Sequence, residues 1–432
     1  MEEKMKKDKK KFNFEAFFTG KMFMDISSSI FSIFLGLLLG YIVMYILNPD
    51  FAGVAFRVVI GSWKEIELSG TQAFNIGEII FRATPIILTG LSISFAFKTG
   101  LFNIGVVGQF TVGAVAAIYV GVKWGVLGDV MGMNLHWPVA LLVAMLAGGI
   151  WGAIPGLLKA YRNVNEVVAG IMLNYIGMYL SIYFVMNTIF NPTYARALTV
   201  QETAQLPTWG LENLFPSPNI NIGILITIVA IIVTHVILYN TKFGYEIKAV
   251  GFNRDASRYA GVNENKNIAM ALIISGAIAG LAGAIVYLVG GKSFAVIAVL
   301  EPQGFTGIAI SLLGLTTPIG TFLMGIFYGV LQYGGYLIQG DILGGFKPEI
   351  VDVIISTIIY ISALSLFVKM YLKKIIKFIS NLLKPKEDLL AGDPVVVPKE
   401  NPPVMEKMKP PKEDKKVDLS TPKDEVEKGG DE

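Results

Sequence analysis

Cysteine is absent from this sequence of 432 residues, and histidine occurs only twice, at His136 and His235. Without cysteine, the chain has no disulfide, no thiolate metal site and no cysteine nucleophile. The two histidines lie far apart and belong to no HExxH motif, and no GxSxG motif is present. The usual patterns of zinc and serine hydrolases are therefore missing. These absences indicate that the protein is not an enzyme.

A nucleotide-binding loop is also missing. Gly291, Lys292 and Ser293 match the end of a phosphate-binding loop, but that motif requires an earlier glycine where Val286 stands. We therefore predict that this chain binds no nucleotide, cofactor or metal ion of its own.

Charged residues are scarce as well. They make up 16% of the chain, against about 25% in soluble domains, whereas 53% of the residues are hydrophobic. A formal net charge of +3 is too small to indicate a nucleic-acid partner. The basic residues lie beside hydrophobic segments, which is typical of an integral membrane protein in contact with lipids.

The apolar segments predict an all-α polytopic membrane protein with about ten transmembrane segments, including one short or broken helix. The short segment is 302–315, which is rich in glycine and indicates a re-entrant or broken helix. The predicted spans are approximately residues 26–47, 78–97, 103–122, 138–158, 166–188, 221–239, 267–291, 302–315, 319–338 and 350–368.

The distribution of basic residues predicts that both termini are cytoplasmic. Twenty Lys and Arg residues fall in the segments placed inside, against six in the segments placed outside, as the positive-inside rule requires. If segment 302–315 does not cross the membrane, the topology after it inverts.

Four regions follow from this pattern. Residues 1–25 form a charged cytoplasmic arm, and residues 26–77 contain the first span and an outside loop. Residues 78–368 contain the other nine predicted spans. Residues 369–432 combine a basic juxtamembrane segment with a tail rich in Lys, Glu, Asp and Pro, whose composition predicts disorder.

A polar interval, residues 241–266, separates two apolar spans and carries five basic residues, which predicts a cytoplasmic position. Gly251 suits a turn with positive φ, and the following residues indicate a short helix. A compact helix of mixed charge at this place suggests docking of a partner, and an ordinary solvated loop is the alternative.

Several polar residues lie within the predicted spans, where they tend to face a bundle interior or an aqueous path. Asn103, Gln109 and Asn174 carry amides, which offer donors and an acceptor and suit a neutral polar solute. Together with Glu166 they are the candidates for the substrate pathway. Glu78 and Arg82, spaced i, i+4, are interpreted instead as a pair near the membrane interface.

Four stretches, 81–110, 165–176, 249–262 and 304–320, resemble the permease subunits of bacterial ABC importers. The motif FNIGxxGQ, beginning at Phe102, is similar to the nucleoside branch of the group that also includes ribose and branched-chain amino acid permeases. The resemblance covers roughly residues 78–368. It implies a permease that imports nucleosides, and a sugar permease of the same family is the alternative.

The resemblance also implies partners: a second homologous permease, an extracytoplasmic substrate-binding protein or lipoprotein, and a cytoplasmic ABC ATPase that carries ATP and Mg²⁺. It implies that interval 241–266 is the coupling segment that docks on the ATPase. A stand-alone secondary transporter or channel is a further alternative and would need no partner. The residues implied in coupling are Gly251, Asn253, Arg254, Asp255, Ala256, Arg258, Ala260 and Gly261.

Overall fold

The computed structural model describes residues 21–65, 71–128, 133–339 and 346–364. Most of the predicted charged arm and the whole predicted tail lie outside these residues. The described chain is almost entirely helical. Its helices are α1 (Lys21–Leu47), α2 (Pro49–Gly61), α3 (Gln72–Phe97), α4 (Val106–Lys123), α5 (His136–Arg162), α6 (Glu166–Thr188), α7 (Leu211–Leu214), α8 (Gly223–Asn240), α9 (Lys242–Phe252), α10 (Arg254–Tyr259), α11 (Glu264–Tyr287), α12 (Pro302–Leu313), α13 (Pro318–Leu337) and α14 (Pro348–Ala363).

Short elements complete the secondary structure of the described residues. Two-residue strands β1 (Phe190–Asn191) and β2 (Arg196–Ala197) pair antiparallel, with Phe190 opposite Ala197. Single 3₁₀ turns occupy Ser62–Lys64, Gly125–Gly128 and Glu202–Ala204. The prediction of an all-α chain is therefore confirmed for this part of the protein.

Seven helices in the described residues are long and apolar enough to cross a membrane, namely α1 from Ser27 onward, α3, α4, α5, α6, α8 and α11. Of the other predicted spans, α12 has 12 residues and α14 has 16. At 1.5 Å per residue, α12 extends about 18 Å, too short for a core of about 30 Å. Ten crossings and cytoplasmic termini therefore stay predictions.

The predicted short helix does end in a break. After α12, Leu315 and Thr316 have φ of 56° and 51°, a left-handed conformation that is unusual for any residue but glycine and a clear outlier for β-branched threonine. Pro318 then starts α13. Buried hydroxyls hold this turn: Ser94 of α3 lies 2.8 Å from the hydroxyl oxygens of both Ser311 and Thr321.

Helix α11 is the centre of the bundle and packs against α5, α4 and α3. Its backbone meets that of α5 directly, because a Cβ atom on Gly276 would overlap the carbonyl oxygen of Gly148, and one on Gly280 that of Ala144. In the sequence, glycine recurs in this segment at positions 276, 280 and 283, a spacing of small residues that is typical of close helix packing, and these contacts agree with it. The main apolar core lies around this crossing and includes Leu88, Phe110 and Ile285.

Helix α3 connects this core to a second one. It packs on α12 and α13 as well as on α11, and the second core joins α1, α2, α13 and α14 through residues such as Met44, Val59, Leu331 and Ile354. The outer faces are apolar too: Ile46 of α1 is 73% exposed and Met172 of α6 is 62% exposed. Such faces are typical of contact with lipid.

Candidate functional site

The three amides predicted to line a substrate path lie close together and are all buried. Asn103 Nδ2 donates to Gln109 Oε1 at 2.9 Å and to Ser275 Oγ at 2.8 Å. Ser275 Oγ in turn donates to the carbonyl oxygen of Ser92 at 2.8 Å. This network links α3, α4 and α11, so in this structure Asn103 and Gln109 bond to the protein and hold helices together.

Asn174 has a similar role between α6 and the start of α4. Its Nδ2 donates to the carbonyl oxygen of Ile104 at 3.0 Å, and its Oδ1 accepts from the backbone amide of Gly108 at 2.8 Å. Glu166 lies apart from the amides, in the first turn of α6, and pairs with Lys159 at 2.9 Å. That first turn is capped by Asn165. The polar groups of these four residues are thus engaged by neighbouring protein groups.

The coupling segment, residues 241–266, folds into α9, α10 and the start of α11. The prediction that Gly251 forms a turn is wrong. It lies inside α9, where a Cβ atom would overlap the carbonyl oxygen of Lys98. Gly261 instead takes the positive φ, at 80°. Glycine is therefore needed at position 251 for close approach, and at position 261 for backbone conformation.

Asn253 starts α10 by capping it, because its Oδ1 accepts from the backbone amide of Ala256 at 2.9 Å. Asp255 lies in the first turn of α10, where a carboxylate interacts favourably with the helix dipole. Ala256 and Ala260 are exposed. Phe252 precedes α10, Tyr259 is its last residue, and each is 94% exposed. The segment thus presents two bare aromatic side chains and two small residues.

The two arginines of the coupling segment turn back to the protein. Arg254 Nε donates to Glu264 Oε2 at 2.7 Å and Arg258 Nε donates to Glu264 Oε1 at 3.0 Å. Glu264, at the start of α11, is only 6% exposed. The hydrogen bond to Glu264 raises the pKa of Arg258. The two arginines and Glu264 thus form an internal ion-pair triad that fixes α10 on α11, and the predicted part of these arginines in coupling stays a prediction.

Lys98 lies where the coupling segment meets the bundle. It follows the last residue of α3, and its Nζ donates to Thr316 Oγ1 at 3.1 Å in the strained turn after α12. Burial lowers the pKa of Lys98, and the charge of Lys248 lowers it further. Lys98 therefore contacts α9 with its carbonyl oxygen and the α12–α13 turn with its side chain.

At the opposite end of α12 lies a polar cavity of about 170 Å³, which we call the Arg82 cavity. Helices α3, α11, α12 and α13 and the segment after α11 enclose it. Cationic, amide, hydroxyl and aromatic groups meet in it. Its lining residues are Phe81, Arg82, Pro85, Ile86, Val286, Lys292, Pro302, Gln303, Thr306, Tyr328 and Gln332.

A second cavity of about 440 Å³, the Glu78 cavity, shares Arg82 with the first. Glu78 accepts hydrogen bonds from Ser217 Oγ at 2.6 Å and Asn219 Nδ2 at 2.9 Å. Its distance to Arg82 is longer, 3.7 Å, and the Arg82 guanidinium lies 4.9 Å from the Tyr336 ring centroid. The predicted Glu78–Arg82 pair is present, but Arg82 also faces two cavities.

Helix α12 forms one wall of the Arg82 cavity and is fixed to α3. Thr89 Oγ1 donates to the carbonyl oxygen of Gln303 at 3.1 Å, and a Cβ atom on Gly307 would lie 2.9 Å from the backbone nitrogen of Gly90. The Gln303 side chain differs from the amides above. Within the part of the chain that the structure describes, its buried Oε1 has no hydrogen-bond partner.

The family model described as "Branched-chain amino acid transport system / permease component" matches residues 75–363. The chain belongs to this permease family. It is 37% identical to the guanosine ABC transporter permease protein NupP of Bacillus subtilis over 80% of this chain and 95% of that protein.

Two further relatives show the range of this permease family. The chain is 32% identical to the nucleoside ABC transporter permease protein NupB of Lactococcus lactis, over 79% of this chain and 92% of that protein. It is 30% identical to the glucose ABC transporter permease protein TsgB13 of Haloferax volcanii, over 70% and 79%. No solved structure matches this chain. The resemblance to the nucleoside branch is thus confirmed.

Membership in this permease family, together with the apolar helices, makes the chain a multi-pass protein of the cell membrane. Gln303, Lys292 and Tyr328 line the Arg82 cavity, and the sequence alone did not identify them as candidates. The available signal was Gln303 beside Pro302 at the start of a segment too short to span, because irregular membrane helices usually line a cavity.

Proposed function

We propose that this chain is the transmembrane permease subunit of an ATP-driven importer that carries nucleosides across the cell membrane. The observation that carries the proposal is its similarity to the guanosine permease over nearly the whole length of that protein. A polar cavity within a bundle of membrane-length helices supports it, because a neutral polar solute needs hydrogen-bonding groups along its path.

The Arg82 cavity, rather than the predicted amides, is the proposed substrate site. Asn103, Gln109 and Asn174 already bond to neighbouring protein groups. The Arg82 cavity instead combines aromatic and polar groups around open space. A nucleoside needs both, since its base offers a flat apolar face and a hydrogen-bonding edge.

The coupling segment supplies the second half of the proposal, a docking surface for a cytoplasmic ATPase. Phe252 and Tyr259 are each 94% exposed, and exposed aromatic side chains of this kind often anchor interfaces. ATP and Mg²⁺ would be bound by that ATPase. The relatives' printed names, permease proteins of ABC transporters, support this division of labour.

The proposed complex contains a second, homologous permease and an extracytoplasmic binding protein that delivers the nucleoside. ATP binding then shifts the complex between two states by moving the docked coupling segment. That segment abuts Lys98, and Lys98 holds the strained turn at the end of α12. The other end of α12 lines the Arg82 cavity. Helix α12 therefore connects the Lys98 contact with the Arg82 cavity.

Uptake in cells tests this function. Cells that express the permease with its partner subunits, and lack other nucleoside transporters, should accumulate labelled guanosine and lose that uptake when the permease is deleted. Labelled ribose, glucose and leucine serve as comparisons. Uptake of a sugar without nucleoside uptake would support the alternative of a sugar permease, for which the glucose permease relative is the precedent. Leucine uptake alone would contradict both.

A further inference from the structure

Two residues that line the Arg82 cavity each carry a buried polar atom, and the two atoms have complementary needs. Among the described residues, the buried donor Arg82 Nε and the buried acceptor Gln303 Oε1 have no hydrogen-bond partner, and both residues line this cavity. A buried polar atom left unpaired destabilises the structure, because it has lost its hydrogen bonds to water. A ligand that accepts from Arg82 and donates to Gln303 would satisfy both atoms.

Charge restricts the class of this ligand. Arg82 and Lys292 both line the cavity, so a cationic solute is repelled. A carboxylate anion would satisfy Arg82, but its oxygens carry no proton to donate to the Gln303 oxygen. The ligand that fits both is neutral and presents an acceptor and an N–H or O–H donor side by side.

The lining of the cavity favours an aromatic ring. Phe81 and Tyr328 supply aromatic surfaces, and Pro85 and Ile86 supply apolar ones. At about 170 Å³ the space is smaller than the roughly 300–1,000 Å³ typical of drug-sized ligands, so it suits one ring system. The adjoining Glu78 cavity contains Asn219 and a carboxylate, polar groups that suit a sugar.

Base chemistry then separates the nucleosides. Guanidinium groups pair with the adjacent O6 and N7 acceptors of a 6-oxopurine, as in arginine recognition of guanine. In adenine an exocyclic amine replaces O6 and would face the guanidinium with a second donor. The N1–H of a 6-oxopurine lies beside O6, where it can donate to an amide oxygen. Uracil lacks the N7 acceptor.

We propose that the Arg82 cavity selects 6-oxopurine nucleosides, with Arg82 donating to O6 and N7 and Gln303 Oε1 accepting from N1–H. The inference rests on the proposed nucleoside-import function and adds its specificity. Arg82 and Gln303 are therefore specificity-determining residues in the permease, additional to whatever selection the binding protein makes.

The test compares inosine with 1-methylinosine, which lacks the N1–H donor, in vesicles containing the complete transporter. The wild-type ratio of uptake should favour inosine. In Gln303→Met, which removes the acceptor at similar size, the ratio should fall by about tenfold, the effect of one lost hydrogen bond. Gln339→Met, the same change outside the cavity, should keep the wild-type ratio. Selection by the binding protein cancels, because it is common to all three.

An unchanged ratio in Gln303→Met, with nucleosides still transported, would overturn this inference and leave the proposed function standing. Failure of the wild-type transporter to move any nucleoside would overturn the proposed function itself. If Gln303→Met moves neither compound, Gln303→Ala decides, since it also removes the acceptor oxygen and its smaller side chain cannot obstruct the cavity. A ratio of inosine to 1-methylinosine uptake below that of the wild type supports the assignment, and the wild-type ratio contradicts it.

Discussion

Gly251 of the coupling segment packs directly on the main chain of Lys98, so closely that a Cβ atom at position 251 would overlap the Lys98 carbonyl oxygen and lie 3.0 Å from the Gly100 nitrogen. The same Lys98 donates from its side chain to Thr316. A displacement of α9 would therefore press on the end of α3 and on the turn that joins α12 to α13. This is the physical link between the proposed docking surface and the proposed substrate cavity.

Gly251→Ala should impair transport although alanine is the better helix former. In an ordinary helix this change would add roughly 0.5–1 kcal/mol of stability, but here the methyl group would push α9 away from Lys98. We expect reduced uptake with normal membrane insertion, measured in vesicles and by membrane fractionation. Gly53→Ala is the matched control, because Gly53 is helical and has nothing within 4 Å of its Cβ position. Equal uptake in both variants would contradict the contact's role.

Lys98→Met should uncouple the transporter. It keeps the length of the side chain but removes the hydrogen bond to Thr316. For a coupling free energy of about 0.5–2 kcal/mol, uptake per ATP hydrolysed should fall by about twofold to thirtyfold. Thr316→Val should have the same effect, and the double variant should be no worse than either one. Additive losses would mean that the two residues act separately.

Phe252→Ala and Tyr259→Ala should weaken ATPase docking. Both side chains are almost fully exposed, so their removal costs the permease little stability and takes contact area from the proposed interface. Less ATPase should co-purify with each variant. Tyr194→Ala is the control, because Tyr194 is 72% exposed and lies between β1 and β2, away from the coupling segment. Full recovery of the ATPase with both variants would place the docking surface elsewhere.

Asn174→Leu should destabilise the permease without changing its selectivity. Leucine would leave the Gly108 amide and the Ile104 carbonyl without their present partner, at a cost of about 1–3 kcal/mol. Thermal unfolding in detergent should therefore occur at a lower temperature. The control Asn187→Leu changes an exposed residue near the end of the same helix and should have little effect. A changed inosine-to-adenosine uptake ratio in Asn174→Leu would return Asn174 to the substrate path.

The sequence predicted best those features that depend on residues close together in the chain, such as helix length, helix caps and glycine spacing. Apolar length located the membrane helices, and the Asn253 and Asn165 caps lie where short polar residues precede a helix. The glycines of α11 were recognisable as packing positions because small residues recur along one segment.

Long-range contacts explain what the sequence could not show. The hydrogen bond of Asn103 to Ser275, 172 positions away, is revealed by no periodicity. Gly251 resembled a turn because glycine favours turns, whereas its actual constraint is the Lys98 carbonyl. Arg82 and Gln303 meet only when α3 and α12 pack, so their cavity could not be read from either segment alone.

The most direct test is ATP-dependent nucleoside accumulation in vesicles. The purified permease is reconstituted with its partner permease, the ATPase and the binding protein, with ATP on the ATPase side and labelled guanosine on the other. We expect labelled guanosine to accumulate in the vesicles above the outside concentration. This accumulation should be abolished when ATP is replaced by a non-hydrolysable analogue. Accumulation that persists without the ATPase, or the absence of any guanosine accumulation in the complete and hydrolysing complex, would contradict the proposed function.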